Sequence, residues 1–357
     1  MRVVLAGGGT GGHAYPAIAV AEALREQPGA EIIYYGTPGG PERTIAEQHG
    51  IPFQGVHASQ LRGSPARMIR GAWNLARGSR EASRHLRRDR PGAVFATGGY
   101  AAAPVGRAAR RSGIPLVVFL PDVKPGWAVR FLERYAATVA CSVEGSLGAL
   151  RARSRVVTGY PVRRQFREAT REQGLRRFGL EAGIPTLLVA GGSLGSHHLN
   201  SVIAGELRDL LSRAQIVHIA GAAEEPWLAR ERERLPAWQR ARYHLYAYTD
   251  EIAWAMAAAD LAVTRGGASI LGELPATRLP AVIVPGRFSD QRRNADFLVE
   301  RGAALMLPER EIDALPDLVR RLLGDPGERE RLGEAMSALA RPDAAARLAE
   351  IVREAAA

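Results

Sequence analysis

Three glycine-rich clusters carry the residues best suited to bind or move charge. The first, Gly7-Gly8-Gly9-Thr10-Gly11-Gly12-His13, lies between a short apolar run and an alanine-rich stretch of helical spacing. The second is Gly98-Gly99-Tyr100 and the third Gly191-Gly192-Ser193-Leu194-Gly195, each again following an apolar run. Glycine lets backbone N–H groups approach an anion closely, and a helix N-terminus adds partial positive charge. A tight turn needs glycine too, so one such loop is a weak signal. Three of them, at the carboxyl ends of strands in both halves of the chain, fall where open α/β sheets bind ligands. They suit a reaction between two phosphate-bearing substrates.

His13 follows the first loop directly. An ordinary imidazole titrates at about pH 6.5, which fits proton transfer at neutral pH. His13 is therefore the candidate general base; donating to a phosphate or capping the helix is the plainer role. Asp122, in Pro121-Asp122-Val123-Lys124-Pro125-Gly126, is the second candidate, and a turn residue is its plainer role. His197 and His198 are adjacent, so they point in different directions on a helix and do not make a two-ligand metal site. Cys141 is the single cysteine, which excludes an internal disulfide and a thiolate cluster. No Asp-x-Asp motif occurs. No metal and no other cofactor is expected.

The elements that must hold these loops alternate. Apolar runs at Val3–Ala6, Glu31–Tyr35, Ala93–Ala96, Leu116–Phe119 and Thr138–Cys141 read as buried strands, with a helix over Tyr15–Gln27. The rhythm restarts after Gly159-Tyr160-Pro161, with strands at Thr186–Ala190, Ile216–Ala220, Leu261–Thr264 and Ala281–Val284. Strand, glycine loop and helix open each half, which predicts two Rossmann-like α/β domains with parallel sheets. The expected boundaries are 1–160 and 161–335. An alanine- and arginine-rich helical pattern from about Leu332 is expected to leave a helix over 336–357 that packs back on the first domain. The first loop lacks the G-x-G-x-x-G spacing and the acidic strand end of a dinucleotide site, which argues against an oxidoreductase.

The 357 residues carry a formal charge of +11, and Lys124 is the only lysine. Arginine-rich composition accounts for part of that charge; an anionic partner is its functional reading. Nine arginines fall between Arg62 and Arg90 against only Glu81 and Asp89. Apolar residues lie among the first of them, so Ile69, Arg70, Trp73 and Arg77 are expected to form a patch for an anionic membrane surface. A solvated amphipathic helix is the plainer account. No nucleic-acid motif accompanies the charge. No run reaches the length of a membrane span or of a signal-peptide core. The expectation is a peripheral protein on the cytoplasmic face of the membrane.

These motifs, in order over nearly the whole chain, resemble the MurG family of glycosyltransferases. Gly159-Tyr160-Pro161-Val162-Arg163 is similar to that family's Gly-Asn-Pro-Val-Arg hinge. Arg265-Gly266-Gly267-Ala268-Ser269, Glu273, Pro285, Asp290-Gln291 and Asn294-Ala295 are similar to its donor-binding signature. The resemblance implies a GT-B fold, two Rossmann-like domains across a cleft. It implies inverting transfer of N-acetylglucosamine from UDP-N-acetylglucosamine to undecaprenyl-pyrophosphoryl-muramyl-pentapeptide in peptidoglycan synthesis.

By position, Glu273 would take the ribose hydroxyls, and Ser193 with the Ala268, Ser269 and Ile270 backbone the diphosphate. Tyr248 would lie on uracil, with the Thr249 backbone at its edge. Gln291 would bind sugar hydroxyls. Thr10, Gly11, Gly12, Asp122 and Arg163 complete the donor side, and Gly9, Gly12, Gly98, Gly99 and Tyr100 form the acceptor side. Backbone donors at helix starts would stabilise the leaving diphosphate.

Three segments depart from the family pattern. Phe119-Leu120-Pro121-Asp122 stands for His-Glu-Gln-Asn, Tyr160 for the hinge asparagine, and Ala101-Ala102-Ala103-Pro104 for Val-Ser-Gly-Pro. The competing readings are a related transferase with another lipid acceptor, a Rossmann-type oxidoreductase, and a sugar-nucleotide-binding protein without catalysis.

Overall fold

The computed structural model describes residues 1–9, 11–59, 65–192, 194–286 and 291–357, and only the backbone of residues 65–67 and 69. Thr10, Ser193, Asp290 and the Ile69 side chain therefore lie outside the described residues. The chain forms two compact units, Met1–Arg164 with Arg341–Ala357, and Gln165–Ala340.

In the first unit the strands are β1 (Arg2–Ala6), β2 (Glu31–Gly36), β3 (Phe53–Gly55), β4 (Ala93–Ala96), β5 (Leu116–Leu120), β6 (Thr138–Cys141) and β7 (Arg155–Val157). They make one parallel sheet in the order β3-β2-β1-β4-β5-β6-β7. The central strands are continuous apolar runs: Val3 to Ala6, Ala93 to Ala96 and Leu116 to Leu120 are all buried. That is the pattern of a sheet covered on both faces. The strand order reverses beside β1, because the chain lays β2 and β3 on one side and returns to put β4 on the other. Ala6 pairs with Ala96, so the loops leaving β1 and β4 start level with one another.

The second unit repeats the plan with β8 (Thr186–Ala190), β9 (Gln215–Ile219), β10 (Tyr243–Tyr246), β11 (Leu261–Thr264), β12 (Ala281–Ile283) and β13 (Ala304–Met306). Their order is β10-β9-β8-β11-β12-β13, and Ala190 pairs with Thr264. Its reversal lies between β8 and β11. Both units therefore have the Rossmann-like strand order, with a switch point of the kind at which open α/β sheets bind ligands.

Four strands, β3, β7, β10 and β13, have no counterpart among the apolar runs read from the sequence. All four are sheet edges. The first helix spans Gly11–Arg25 instead of starting at Tyr15, so it begins inside the glycine cluster. The helical pattern from Leu332 divides in two, Pro326–Ala338 and Ala344–Ala356. The break falls around Pro342, which has no N–H to continue a helix. Helix Ala344–Ala356 packs on helix Gly11–Arg25 and on β4 and β5, within the first unit. Gly159, at φ 93°, lies against Arg341, where a β-carbon would meet the Arg341 Cβ at 2.4 Å.

Candidate functional site

The first unit brings two of the glycine loops together at its switch point. Gly99 has φ 72°, and a β-carbon there would sit 2.0 Å from the Gly8 carbonyl oxygen. One on Gly9, at φ 91°, would lie 2.5 Å from the Tyr100 ring. The loops touch backbone to backbone, which only glycine permits. Gly98 caps helix Gly99–Arg111, and Gly11 and Gly12 open helix Gly11–Arg25. The first N–H groups of a helix have no intrahelical acceptor and face outward as anion donors.

His13 is fixed on this arrangement from two directions. Its Nδ1 is 2.9 Å from the Thr97 carbonyl oxygen, and the Thr97 hydroxyl donates to the His13 carbonyl at 2.5 Å. A carbonyl only accepts, so Nδ1 carries the proton and Nε2 is left with the lone pair. That is the tautomer a general base needs. Behind the loop lies a group that the sequence reading missed. Glu42 is fully buried and its carboxylate accepts from Gly9 N at 3.1 Å. Gly9 N–H is thus already engaged.

The second unit presents the third loop and the Arg265-Gly266-Gly267 segment at its own switch point. Gly195, at φ 75°, packs on the Ala220 carbonyl, where a β-carbon would come within 2.0 Å. Asn200 Nδ2 donates to that same carbonyl at 3.0 Å, and Asn200 Oδ1 is 3.0 Å from His218 Nε2. His218 Nδ1 is 2.9 Å from the Tyr243 hydroxyl. Burial holds His218 neutral, its pKa pushed down to about 3.

Across β11, Asn294 Nδ2 donates to the Gly266 carbonyl at 3.0 Å, and Gly286 N donates to Gln291 Oε1 at 2.7 Å. The Gln291 carbonyl oxygen is thus engaged. Ile270 N turns back to the Gly267 carbonyl at 3.2 Å, just after Ala268 and Ser269. Glu273 is buried in the first turn of helix Ile270–Thr277. Tyr248 is 46% exposed and its hydroxyl donates to Asp250 Oδ1 at 3.1 Å, while Thr249 Oγ1 accepts from Glu251 N at 3.0 Å. Thr10 and Ser193 are outside the described residues.

Comparison with known proteins decides the family. Residues 3–141 match the glycosyltransferase family 28 N-terminal domain and residues 186–348 its C-terminal domain. A UDP-N-acetylglucosamine–N-acetylmuramyl-(pentapeptide) pyrophosphoryl-undecaprenol N-acetylglucosamine transferase of Roseiflexus sp. is 40% identical, over 98% of this chain and 94% of that protein. The protein of the same description from Desulforudis audaxviator is 35% identical over 99% and 98%. The chain belongs to the MurG family. Among solved structures, Acinetobacter baumannii MurG has a TM-score of 0.76 at 24% identity, covering 99% of both chains. The Neisseria meningitidis UDP-GlcNAc 2-epimerase bound to UDP-GlcNAc reaches 0.70 at 14% identity, over 99% of this chain and 100% of that one. Both carry the same two-domain GT-B fold.

Two of the three departures from the MurG pattern touch each other. Phe119 and Tyr160 are buried and stack edge to face, ring centroids 6.2 Å apart, and Phe95 extends the stack. The third departure, Ala101 to Ala103, is buried in helix Gly99–Arg111. Asp122 is half-buried just beyond β5. Its carbonyl neighbour Val123 accepts from Ser146 Oγ at 2.9 Å, which ties the turn down. Arg163 is buried, its guanidinium 4.1 Å above the Tyr15 ring, two residues beyond His13.

The basic segment is helix Pro65–Asp89. Met68 and Trp73 are 52% and 60% exposed, and Arg77 lies 5.7 Å over the Trp73 ring. Burial alone would raise Glu81, but hydrogen bonds from His57 and Arg77 hold its carboxyl below the usual range. His197 Nδ1 is 2.9 Å from Glu224 Oε2. Among the described residues no three His, Cys, Asp or Glu side chains are placed to hold a metal, and no helix is long and apolar enough to cross a membrane.

Proposed function

We propose that this chain transfers N-acetylglucosamine from UDP-N-acetylglucosamine to undecaprenyl-pyrophosphoryl-muramyl-pentapeptide, with inversion at the anomeric carbon. The observation that carries the reading is the match, over nearly the full length of both chains, to transferases of that description. The acceptor hydroxyl attacks the anomeric carbon, and the bond from that carbon to the diphosphate breaks. UDP leaves with the electron pair, and the hydroxyl proton passes to His13 Nε2. Asp122 is the alternative acceptor of that proton.

Gly9, Gly12, Gly98, Gly99 and Tyr100 line the acceptor side. Thr10, Gly11, Gly12 and Arg163 serve the donor side from the first unit. The Ala268–Ile270 segment with Ser193 meets the charge growing on the diphosphate, and Glu273 takes the ribose hydroxyls. Tyr248 and Thr249 read uracil, and Gln291 binds sugar hydroxyls through its NH2 group. Preorganised backbone donors are the usual means of stabilising such a leaving group.

The exposed Met68 and Trp73 beside Arg70 and Arg77 support a peripheral site on an anionic membrane at the cytoplasmic face, with Ile69 as part of it. Replacing Met68 and Trp73 with serine is expected to weaken binding to anionic vesicles while turnover of a water-soluble acceptor analogue holds. Equal loss of both would place the segment in the structural core. The decisive assay is product formation from defined UDP-sugars and lipid-linked acceptors. UDP-N-acetylglucosamine with the muramyl-pentapeptide lipid should be the preferred pair. Preference for another lipid would move the chain to a related transferase, and a rise in melting temperature with NAD(P) but not UDP would end the transferase reading.

A further inference from the structure

We infer that Glu42 is the positioning residue of the first glycine loop, setting its shape for His13. The inference rests on the reading of the first unit as the side that holds the base. Glu42 is the second residue of helix Pro41–Gln48, and its carboxylate is fully buried. One oxygen accepts from Thr37 N at 2.9 Å and from the Thr37 hydroxyl. The other accepts from Gly9 N at 3.1 Å. Among the described residues no cation pairs with it.

Room for this carboxylate is made by three glycines. A β-carbon on Gly8, Gly36 or Gly40 would lie 2.3, 2.6 or 2.3 Å from Glu42 atoms. A buried carboxylate is retained only where donors replace its water, and here the donors are amides and a hydroxyl. The loop is therefore gripped on two sides. Glu42 holds Gly9 from beneath, and Gly99 and Tyr100 close on Gly8 and Gly9 from the β4 side. The Tyr34 hydroxyl donates to the Gly7 carbonyl at 3.0 Å and completes the clamp. The chain leaves this clamp four residues before the imidazole, so the loop's path fixes where the helix that carries His13 begins.

Glu42→Gln is the sharpest test, because it keeps the shape. Its carbonyl oxygen can retain both Thr37 donors, while its NH2 then faces Gly9 N–H, donor against donor. Hydrogen exchange of the peptide spanning residues 7–12 should quicken, with the remainder of the full-length chain unchanged. Turnover at saturating acceptor should fall about 10- to 100-fold, the scale of a small misplacement of a reacting group. The melting temperature should fall, because the buried Gly9 N–H loses its acceptor. Thr37→Val, which removes a donor and leaves Gly9 bonded, should lower the melting temperature without that loss of turnover. Unchanged exchange at residues 7–12, or full turnover in Glu42→Gln, would overturn the inference. So would an equal loss of turnover in Thr37→Val at a similar fall in melting temperature, the mark of a merely structural role. His13→Ala is the parallel control: if it turns over normally the base reading itself fails, whereas an inactive His13→Ala beside a fully active Glu42→Gln fails Glu42 alone.

Discussion

The two units build the same switch point and brace it with different chemistry. Behind the loop after β1 stands an ionisable carboxylate, Glu42, and at its end stands an imidazole with a free nitrogen. Behind the loop after β8 stand neutral groups, Asn200 and a His218 kept uncharged, while the loop after β11 rests on Asn294 and the Gln291 amide beside the Arg265–Glu309 ion pair and the buried Glu273. Under the proposed function, the first unit serves proton transfer and the second the leaving group.

That contrast is most directly broken at His13. His13→Ala should lower turnover by about 10²–10⁴-fold with donor affinity nearly unchanged, and the acid limb of the pH–rate profile should vanish. His13→Asn can still donate a hydrogen bond but cannot take a proton. Near-normal turnover in that variant would move the base to Asp122. In the second unit, Glu273→Ala should weaken UDP-N-acetylglucosamine binding about ten- to a hundredfold, since it removes a charge-assisted acceptor for two hydroxyls. Calorimetry giving an unchanged donor constant would remove Glu273 from the site.

The neutral bracing makes a pH prediction. His218 has a folded pKa of about 3, below the unfolded value of about 6.5. The unfolded chain therefore binds the extra proton in that window. The stability His218 contributes is present above about pH 6.5 and is lost as pH falls towards 3, by up to about 1.4 kcal/mol per pH unit. His218→Phe should flatten that part of a melting-temperature profile. A profile with the same slope as wild type would assign the acid sensitivity elsewhere. The smallest effect is expected from metal removal: if backbone donors carry the leaving group, EDTA should leave turnover unchanged. A large loss restored by a divalent cation would overturn the dipole account.

The central strands were legible because a parallel strand covered on both faces must be apolar at every position, as Leu116 to Leu120 is. The loops were legible because close backbone approach requires glycine, and the MurG signature was legible because it is a run of local neighbours. The edge strands were not legible. Phe53–Gly55 and Arg155–Val157 are only three residues long and partly exposed, so neither a long apolar run nor strict alternation marks them. Glu42 was not legible either, since an acid opening a helix reads as an ordinary surface residue.

What the sequence by itself determined is local: where strands end, where the chain must be free of side chains, and which titratable group follows the first loop. What only the tertiary structure decided is which distant groups share those loops. Thr97 selects the His13 tautomer from 84 residues away, and Glu42 reaches Gly9 across 33. Phe119 and Tyr160, two departures from the family pattern, become one aromatic contact. A buried polar group must find its partner wherever the fold places one, and separation along the chain does not limit that choice.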